Sequence, residues 1–340
     1  MPFLKVSGVA KLADGKFVVK DVRFTQKKFQ NIVVAGETGS GKSTLLKIIA
    51  GLVQQDAGEV RIENKRVESA DEKLVPGHPS IAYLSQYFEL PPFLRVEQIL
   101  TYSNQLTEEA ARKLYEVCNI AHLVKRDTAE LSGGERQRIA LALLLTASPK
   151  LLLLDEPFST LDSIHRGILK SVIRDISKRF KITCILVSHD PDDVLSWADE
   201  VLVMKEGQVL QQGTPEKVYR QPMNTYVAGL FGSYNLLSQT QSKAFSALLR
   251  LKANKKLLFV RPGNFKLVEE GRGLKGKVKG TKFFGSYQEL EVSIARKPIF
   301  INTENHQIKE GDSVYVSLLP TDMGYVKKSR GRTNISHDKN

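Results

Sequence analysis

Residues Gly36-Glu37-Thr38-Gly39-Ser40-Gly41-Lys42-Ser43 fit G-x-x-x-x-G-K-[ST], a spacing whose chemistry is the cradling of nucleotide phosphates. Its glycines let the backbone bend tightly and turn N–H groups inward as an anion-binding nest. Lys42 can reach β- and γ-phosphates, and the Ser43 hydroxyl can ligate Mg²⁺. Two further groups could act on such a ligand. Leu151–Leu154 runs into Asp155-Glu156. Asp155 suits the Mg²⁺ shell, through water, and Glu156 can orient and deprotonate an attacking water. Paired acids before Pro157 could instead merely start a turn; the phosphate loop upstream weighs against that. Ser132-Gly133-Gly134-Glu135 opens a helix, with Ser132 as N-cap and Glu135 closing a capping box. The box leaves Gly133-Gly134 unexplained, since glycines weaken a helix unless something approaches the backbone closely. A phosphate at that helix start would explain them.

The elements that must carry these groups are legible. Asn31–Ala35 reads as a buried strand before the phosphate loop, and Thr44–Ala50 as the helix whose N-terminus faces the phosphates. The apolar runs Leu151–Leu154 and Ile182–Val187 fit parallel strands covered on both faces. A helix over residues 163–180 joins them as a βαβ unit. Gln86 follows the strand-like Ile81–Leu84, and His189 follows Cys184–Ser188. Both leave the carboxyl ends of strands, where open α/β folds place ligands. Lys16–Phe24 alternates as a strand in a small N-terminal β layer, and Gly58–Ile62 is another short strand. Residues 107–125 carry helical periodicity through Ala111, Leu114, Val117 and Cys118. Val201–Met204 and Gln208–Leu210 form a hairpin around Gly207. Beyond about residue 230 the strands become short: Leu257–Val260, Gly276–Lys279, Glu289–Ile294 and Ser313–Leu318, as in a small barrel or sandwich.

With 340 residues, 41% hydrophobic and 26% charged, the chain has the size and composition of a soluble protein of two or three domains. No apolar run reaches membrane-spanning length, and Met1–Lys5 lacks a signal-peptide pattern. Cys118 and Cys184 have no metal-ligand spacing and read as buried free thiols of a reducing cytosol. Of the net charge of +13, residues 241–340 supply +11. That basic segment reads either as a surface for an anionic membrane face or nucleic acid, or as a solvated surface.

Together these motifs resemble the ATPase subunit of an ABC (ATP-binding cassette) transporter, over roughly residues 4–230. Leu131–Glu135, which separates this family from other phosphate-loop ATPases, is joined in order by Gln86, Asp155-Glu156, Ser159-Thr160-Leu161-Asp162 and His189. The resemblance implies an α/β phosphate-loop cassette over residues 1–230, with a helical insertion at about 87–150. It implies ATP and Mg²⁺, with two cassettes packed head to tail. Each ATP would lie between the loop of one copy, including Thr44, and Ser132-Gly133-Gly134 of the other. Glu156 would be the general base, and His189 would steady the γ-phosphate. Asp162 would cross the dimer interface, and Gln86 would couple the Mg²⁺ site to a membrane partner. Gln212–Glu216, Pro222–Ala228 and Phe231–Asn235 resemble the ending of importer cassettes for sugars, polyamines or ferric iron. Arg261-Pro262, Gly276–Val278, Phe284–Ser286 and Gly311–Val314 resemble their small oligomer-binding-like (TOBE) all-β domain, here residues 236–326, before a disordered tail at 327–340. The implied setting is peripheral, on the cytoplasmic face of the inner membrane. The implied partners are integral permease subunits, a second cassette and, indirectly, an extracytoplasmic binding protein.

One departure stands out. The family's adenine-stacking aromatic would fall at Ala13, beside Leu12. Phe17 could substitute, though a strand residue reads more readily as core. Tyr87–Leu94 is aromatic and proline-punctuated; the resemblance puts a coupling helix of the membrane subunit there, packing under the helical insertion is an equal alternative, and some of these side chains can do both. A soluble ABC ATPase on ribosomes or nucleic acid is the competing function. The single cassette and the lack of a long coiled-coil insertion disfavour it.

Overall fold

Alternating and continuous apolar runs sort the first part of the chain between an outer antiparallel sheet and a buried parallel one. The computed structural model describes residues 1–249, 257–319 and 324–326. It divides into two compact units, Met1–Pro215 and Glu216–Asn340. In the first, β1 (Leu4–Ala13) and β2 (Lys16–Gln26) form a hairpin. Next come β3 (Asn31–Ala35), α1 (Lys42–Ile49), β4 (Ala57–Ile62), β5 (Lys65–Arg66) and β6 (Ile81–Leu84). The helical stretch holds α2 (Val96–Tyr102), α3 (Glu108–Val117) and α4 (Gly133–Leu145). It is followed by β7 (Leu151–Asp155), α5 (Ser163–Arg179), β8 (Thr183–Val187), α6 (Pro191–Trp197), β9 (Glu200–Lys205) and β10 (Gln208–Gly213).

The central sheet has six strands in the order β10-β9-β3-β8-β7-β6. β9, β3, β8, β7 and β6 are parallel, and β10 pairs antiparallel to β9. Every residue of β7 and β8 is buried, as a parallel strand covered on both faces requires. Leu45, Leu46, Ile48 and Ile49 of α1 join Ile32, Val34, Leu151 and Ile185 in one core with the outer β2-β1-β4-β5 sheet. Each such side chain contributes about 1.5–3 kcal/mol of burial. Helix α3 is shorter than the periodicity over 107–125 suggests. Asn119 takes a left-handed φ of 53° just past it, a conformation Asn tolerates and which stops a helix.

The second unit opens with α7 (Pro215–Arg220), α8 (Thr225–Leu230), β11 (Asn235–Leu237), α9 (Gln239–Leu248) and β12 (Leu257–Val260). Then follow β13 (Phe265–Val268), β14 (Leu274–Phe283), β15 (Gln288–Ile294), β16 (Lys297–Thr303), β17 (Ser313–Leu318) and β18 (Gly324–Val326). A five-stranded antiparallel sheet, β13-β17-β14-β15-β16, adjoins a three-stranded one, β11-β12-β18, in sequence. Residues 216–230, read above as the end of the cassette, group with this unit. Helix α9, with Phe245 fully buried among Leu258, Val278 and Val292, is an addition to the strands read from sequence. The expected tail at 327–340 lies outside the described residues.

Candidate active site

Parallel pairing sends the carboxyl ends of β3, β8, β7 and β6 to one edge of the sheet. The segments leaving that edge are the loop 36–41 after β3, Asp155-Glu156 at the end of β7, Ser188-His189 after β8 and Ser85-Gln86 after β6. Open α/β sheets bind ligands at such an edge.

The loop is built around contacts that only glycine permits. Gly41 caps α1 with φ 96°, and a Cβ there would lie 2.1 Å from the Val18 carbonyl oxygen. Lys42 is buried, and its Nζ donates to the Gly36 and Glu37 carbonyls at 2.9 and 2.8 Å. Burial pulls its ammonium below the ordinary lysine value, opposed by the carboxylates of Glu156, Asp155 and Glu37. The buried Ser40 hydroxyl has no hydrogen-bond partner among the described residues. An anion-binding loop would use such a group. Thr44 lies in the first turn of α1.

Ser43 Oγ donates to Asp155 Oδ1 at 2.9 Å, and the Tyr83 hydroxyl donates to Asp155 Oδ2 at 2.9 Å. Burial and the Asp155 charge push the Tyr83 phenol well above its usual range. A buried carboxylate facing a hydroxyl beside a phosphate loop is a hard-oxygen donor set that fits Mg²⁺. Glu156 holds a left-handed φ of 47°, a conformation that costs a non-glycine residue free energy and recurs at functional sites. Its Oε2 lies 3.3 Å from His189 Nδ1. Two ion pairs from α5 brace the segment that carries His189: Arg166 to Asp190, and Lys170 to the buried Asp193 at 2.5 Å. The Gln86 side chain turns elsewhere. It donates to Ser159 Oγ at 3.3 Å, and Ser159 Oγ donates to the Glu156 carbonyl at 3.0 Å.

A second set of the expected residues clusters around the start of α4. The capping box forms: the Glu135 N–H donates to Ser132 Oγ at 3.3 Å, and the Ser132 N–H donates to Glu135 Oε2 at 2.8 Å. That backbone hydrogen bond holds the Glu135 carboxyl below the usual range. Gly133 is open to solvent, with nothing within 4 Å of a built Cβ. Gly134 is not: a Cβ would lie 2.9 Å from Cδ2 of His165. The imidazole supplies a reason for that glycine within the chain itself. His165 Nδ1 meets Asp162 Oδ2 at 2.6 Å, and Asp162 Oδ1 caps α5 by accepting the Ile164 and His165 N–H groups. The His165 backbone bond, then its side chain, hold the Asp162 carboxyl low.

Phe17 corrects an expectation. It is 49% exposed instead of core, and pairs across the hairpin with Leu12, which is also exposed. The next residue, Val18, presents the carbonyl that lies against Gly41. Tyr87 and Phe93 are 81% and 84% exposed, so packing under the helical stretch does not account for them. Tyr83 and His165 were not singled out in the sequence. Nothing in a strand tyrosine signals a bond to Asp155 on another strand; the His165–Asp162 contact is local, but the packing of His165 on Gly134 is not. Cys118 and Cys184 are buried free thiols, their pKa values pushed up to about 12 by burial. No group of His, Cys, Asp and Glu among the described residues forms a separate metal cluster, and no helix among them is long and apolar enough to cross a membrane.

Residues 19–159 match the family model for the ABC transporter, and residues 258–324 match that for the TOBE domain. The chain is 30% identical over 334 residues to the spermidine/putrescine import ATP-binding protein PotA of Borrelia garinii subsp. bavariensis, covering 93% of this chain and 95% of that protein. It is 30% identical over 330 residues to the sulfate/thiosulfate import ATP-binding protein CysA of Synechocystis sp., covering 92% of each. Among solved structures, cbiO1 of Clostridium perfringens, part of the ABC transporter complex cbiONQ, is similar with a TM-score of 0.56 and 28% identity, covering 64% of this chain and 90% of that one.

Proposed function

Because the chain belongs to the ABC transporter family, we propose that it is the ATP-hydrolysing subunit of a membrane importer, sitting peripherally on the cytoplasmic face of permease subunits. The observation that carries the reading is the meeting of the phosphate loop, the Ser43–Asp155 pair and the Glu156–His189 pair at one sheet edge. The loop N–H groups and Lys42 would hold the β- and γ-phosphates, with Lys42 exchanging the Gly36 and Glu37 carbonyls for phosphate oxygens. Ser43 and, through water, Asp155 would hold Mg²⁺, which when bound neutralises phosphate charge. Glu156 would take the proton of the attacking water, and His189 would steady the γ-phosphate while contacting Glu156. Catalysis is then mostly positioning and charge stabilisation. Leu12 and Phe17 offer the base a surface beside the loop. The open Gly133 and the solvent-facing Asp162 belong to the face a second cassette would meet, so the site would be completed by dimer closure and drive alternating access.

The test is turnover against Glu156→Gln. The parent should hydrolyse ATP with a rate that rises with protein concentration. Glu156→Gln should retain ATP, lose turnover by about 10²-fold or more, and accumulate dimers in size-exclusion chromatography. Near-normal turnover in the variant would remove Glu156 as base. The relatives' names as import proteins for polyamines and for sulfate or thiosulfate favour import of a small solute, with selectivity residing in membrane and extracytoplasmic partners.

A further inference from the structure

Asp155 is 4% exposed, and both of its carboxylate oxygens are engaged. One accepts from Ser43, a residue of the phosphate loop. The other accepts from Tyr83, which has no place in that loop. β6 lies beside β7 in parallel, with Tyr83 opposite Leu153, and the Tyr83 ring packs on the same core as Ile81. A carboxylate on the end of a strand can rotate about its Cβ–Cγ bond. A phenol fixed by packing and donating to one oxygen removes that freedom and leaves the other oxygen toward Ser43. Partners of this kind orient a metal-binding carboxylate, and their loss typically costs about 10–100-fold in metal affinity. The same strand delivers Gln86 three residues later, so Tyr83 also fixes the strand end from which Gln86 departs.

We propose that Tyr83 is a positioning residue that holds the Asp155 carboxylate in register with Ser43 and so sets the Mg²⁺ requirement of nucleotide binding. This rests on the reading of Ser43 and Asp155 as the Mg²⁺ site. The test uses the full chain and its Tyr83→Phe variant, which keeps the ring and removes only the hydroxyl. Binding of a fluorescent ATP analogue is titrated without metal and then with MgCl₂. The expected result is unchanged metal-free affinity, with about a tenfold rise in the Mg²⁺ concentration that gives half of the metal-dependent gain. In an Asp155→Asn background the same substitution should have no further effect, because Tyr83 acts through that carboxylate. Superimposable Mg²⁺ titrations of parent and variant would overturn the inference. So would an equal loss of metal-free and metal-bound affinity, which would assign Tyr83 to packing alone. If the parent bound ATP with no response to Mg²⁺, the reading of the Ser43–Asp155 pair would itself fall, and the inference with it.

Discussion

Glu156 and Gly134 are surrounded by neighbours that sequence does not announce, although both stand in motifs that it displays openly. Glu156 is held at a left-handed φ between β7 and Ser159, with its carboxylate beside His189. A position after an apolar run announces the acid but not the neighbour, because His189 lies 33 residues later in the chain, past the end of β8. Gly134 has a neighbour that its motif does not announce: the His165 ring, tied in turn to Asp162, lies where a side chain at this position would go. Gly134→Ala should therefore push His165 off Asp162. The expected outcome, measured by size-exclusion chromatography in the Glu156→Gln background, is loss of ATP-dependent dimers with nucleotide binding retained. Phe17 was obscured because alternation would put it on the face of the buried Val19, whereas it sits at the hairpin end beyond a register shift and is exposed. If its ring contacts the base, Phe17→Ala should weaken ATP binding about tenfold, within the 1–3 kcal/mol of a base–aromatic stack. Isothermal titration with ATP and GTP would check both the loss and the selectivity.

Among the elements, the parallel core was the most legible part of the fold. Leu151–Leu154 is apolar at every position and Ile182–Val187 at all but Thr183, the pattern of a strand covered on both faces. The Ser132–Glu135 box was equally readable, being local in sequence. Short elements were not. β13, β16 and α9 depend on the Phe245, Leu290 and Ile299 core of their own unit and carry little pattern in isolation. The segment after β6 shows what exposure adds to pattern. Phe93 takes φ 62° and projects into solvent, while Thr128 anchors the loop beside it by donating to the Pro91 carbonyl at 2.9 Å. A bulky ring held outward at a strained backbone position is poised for a partner. Phe93→Ala should reduce co-purification of membrane subunits several-fold and leave ATP affinity of the isolated chain within error of the parent.

At the scale of the whole molecule, the division at Pro215–Glu216 separates the chemistry from a unit that holds a buried, hydrogen-bonded arginine. Arg261 is 2% exposed and donates to the carbonyls of Ala228, Gly232, Ser233 and Tyr219. Its guanidinium lies 4.2 Å from the Tyr219 ring centroid and 4.9 Å from that of Phe259. Arg261-Pro262 was readable as a motif; that the arginine staples α7, α8 and the segment after them was not, because its acceptors are backbone groups without a sequence signature. Arg261→Met should destabilise the second unit by at least about 2 kcal/mol, the cost of leaving buried carbonyls unpaired. Denaturant unfolding followed by Tyr fluorescence should register this, with ATP binding unchanged. The importer reading belongs to this scale as well, since it concerns what the whole chain attaches to. Its most direct measurement is recovery of the tagged chain from detergent-solubilised native membranes, with the bound proteins identified by mass spectrometry. The account predicts polytopic membrane subunits in stoichiometric amount, reduced several-fold by Phe93→Ala. Recovery of ribosomal or nucleic-acid-binding proteins with no membrane subunit would contradict it.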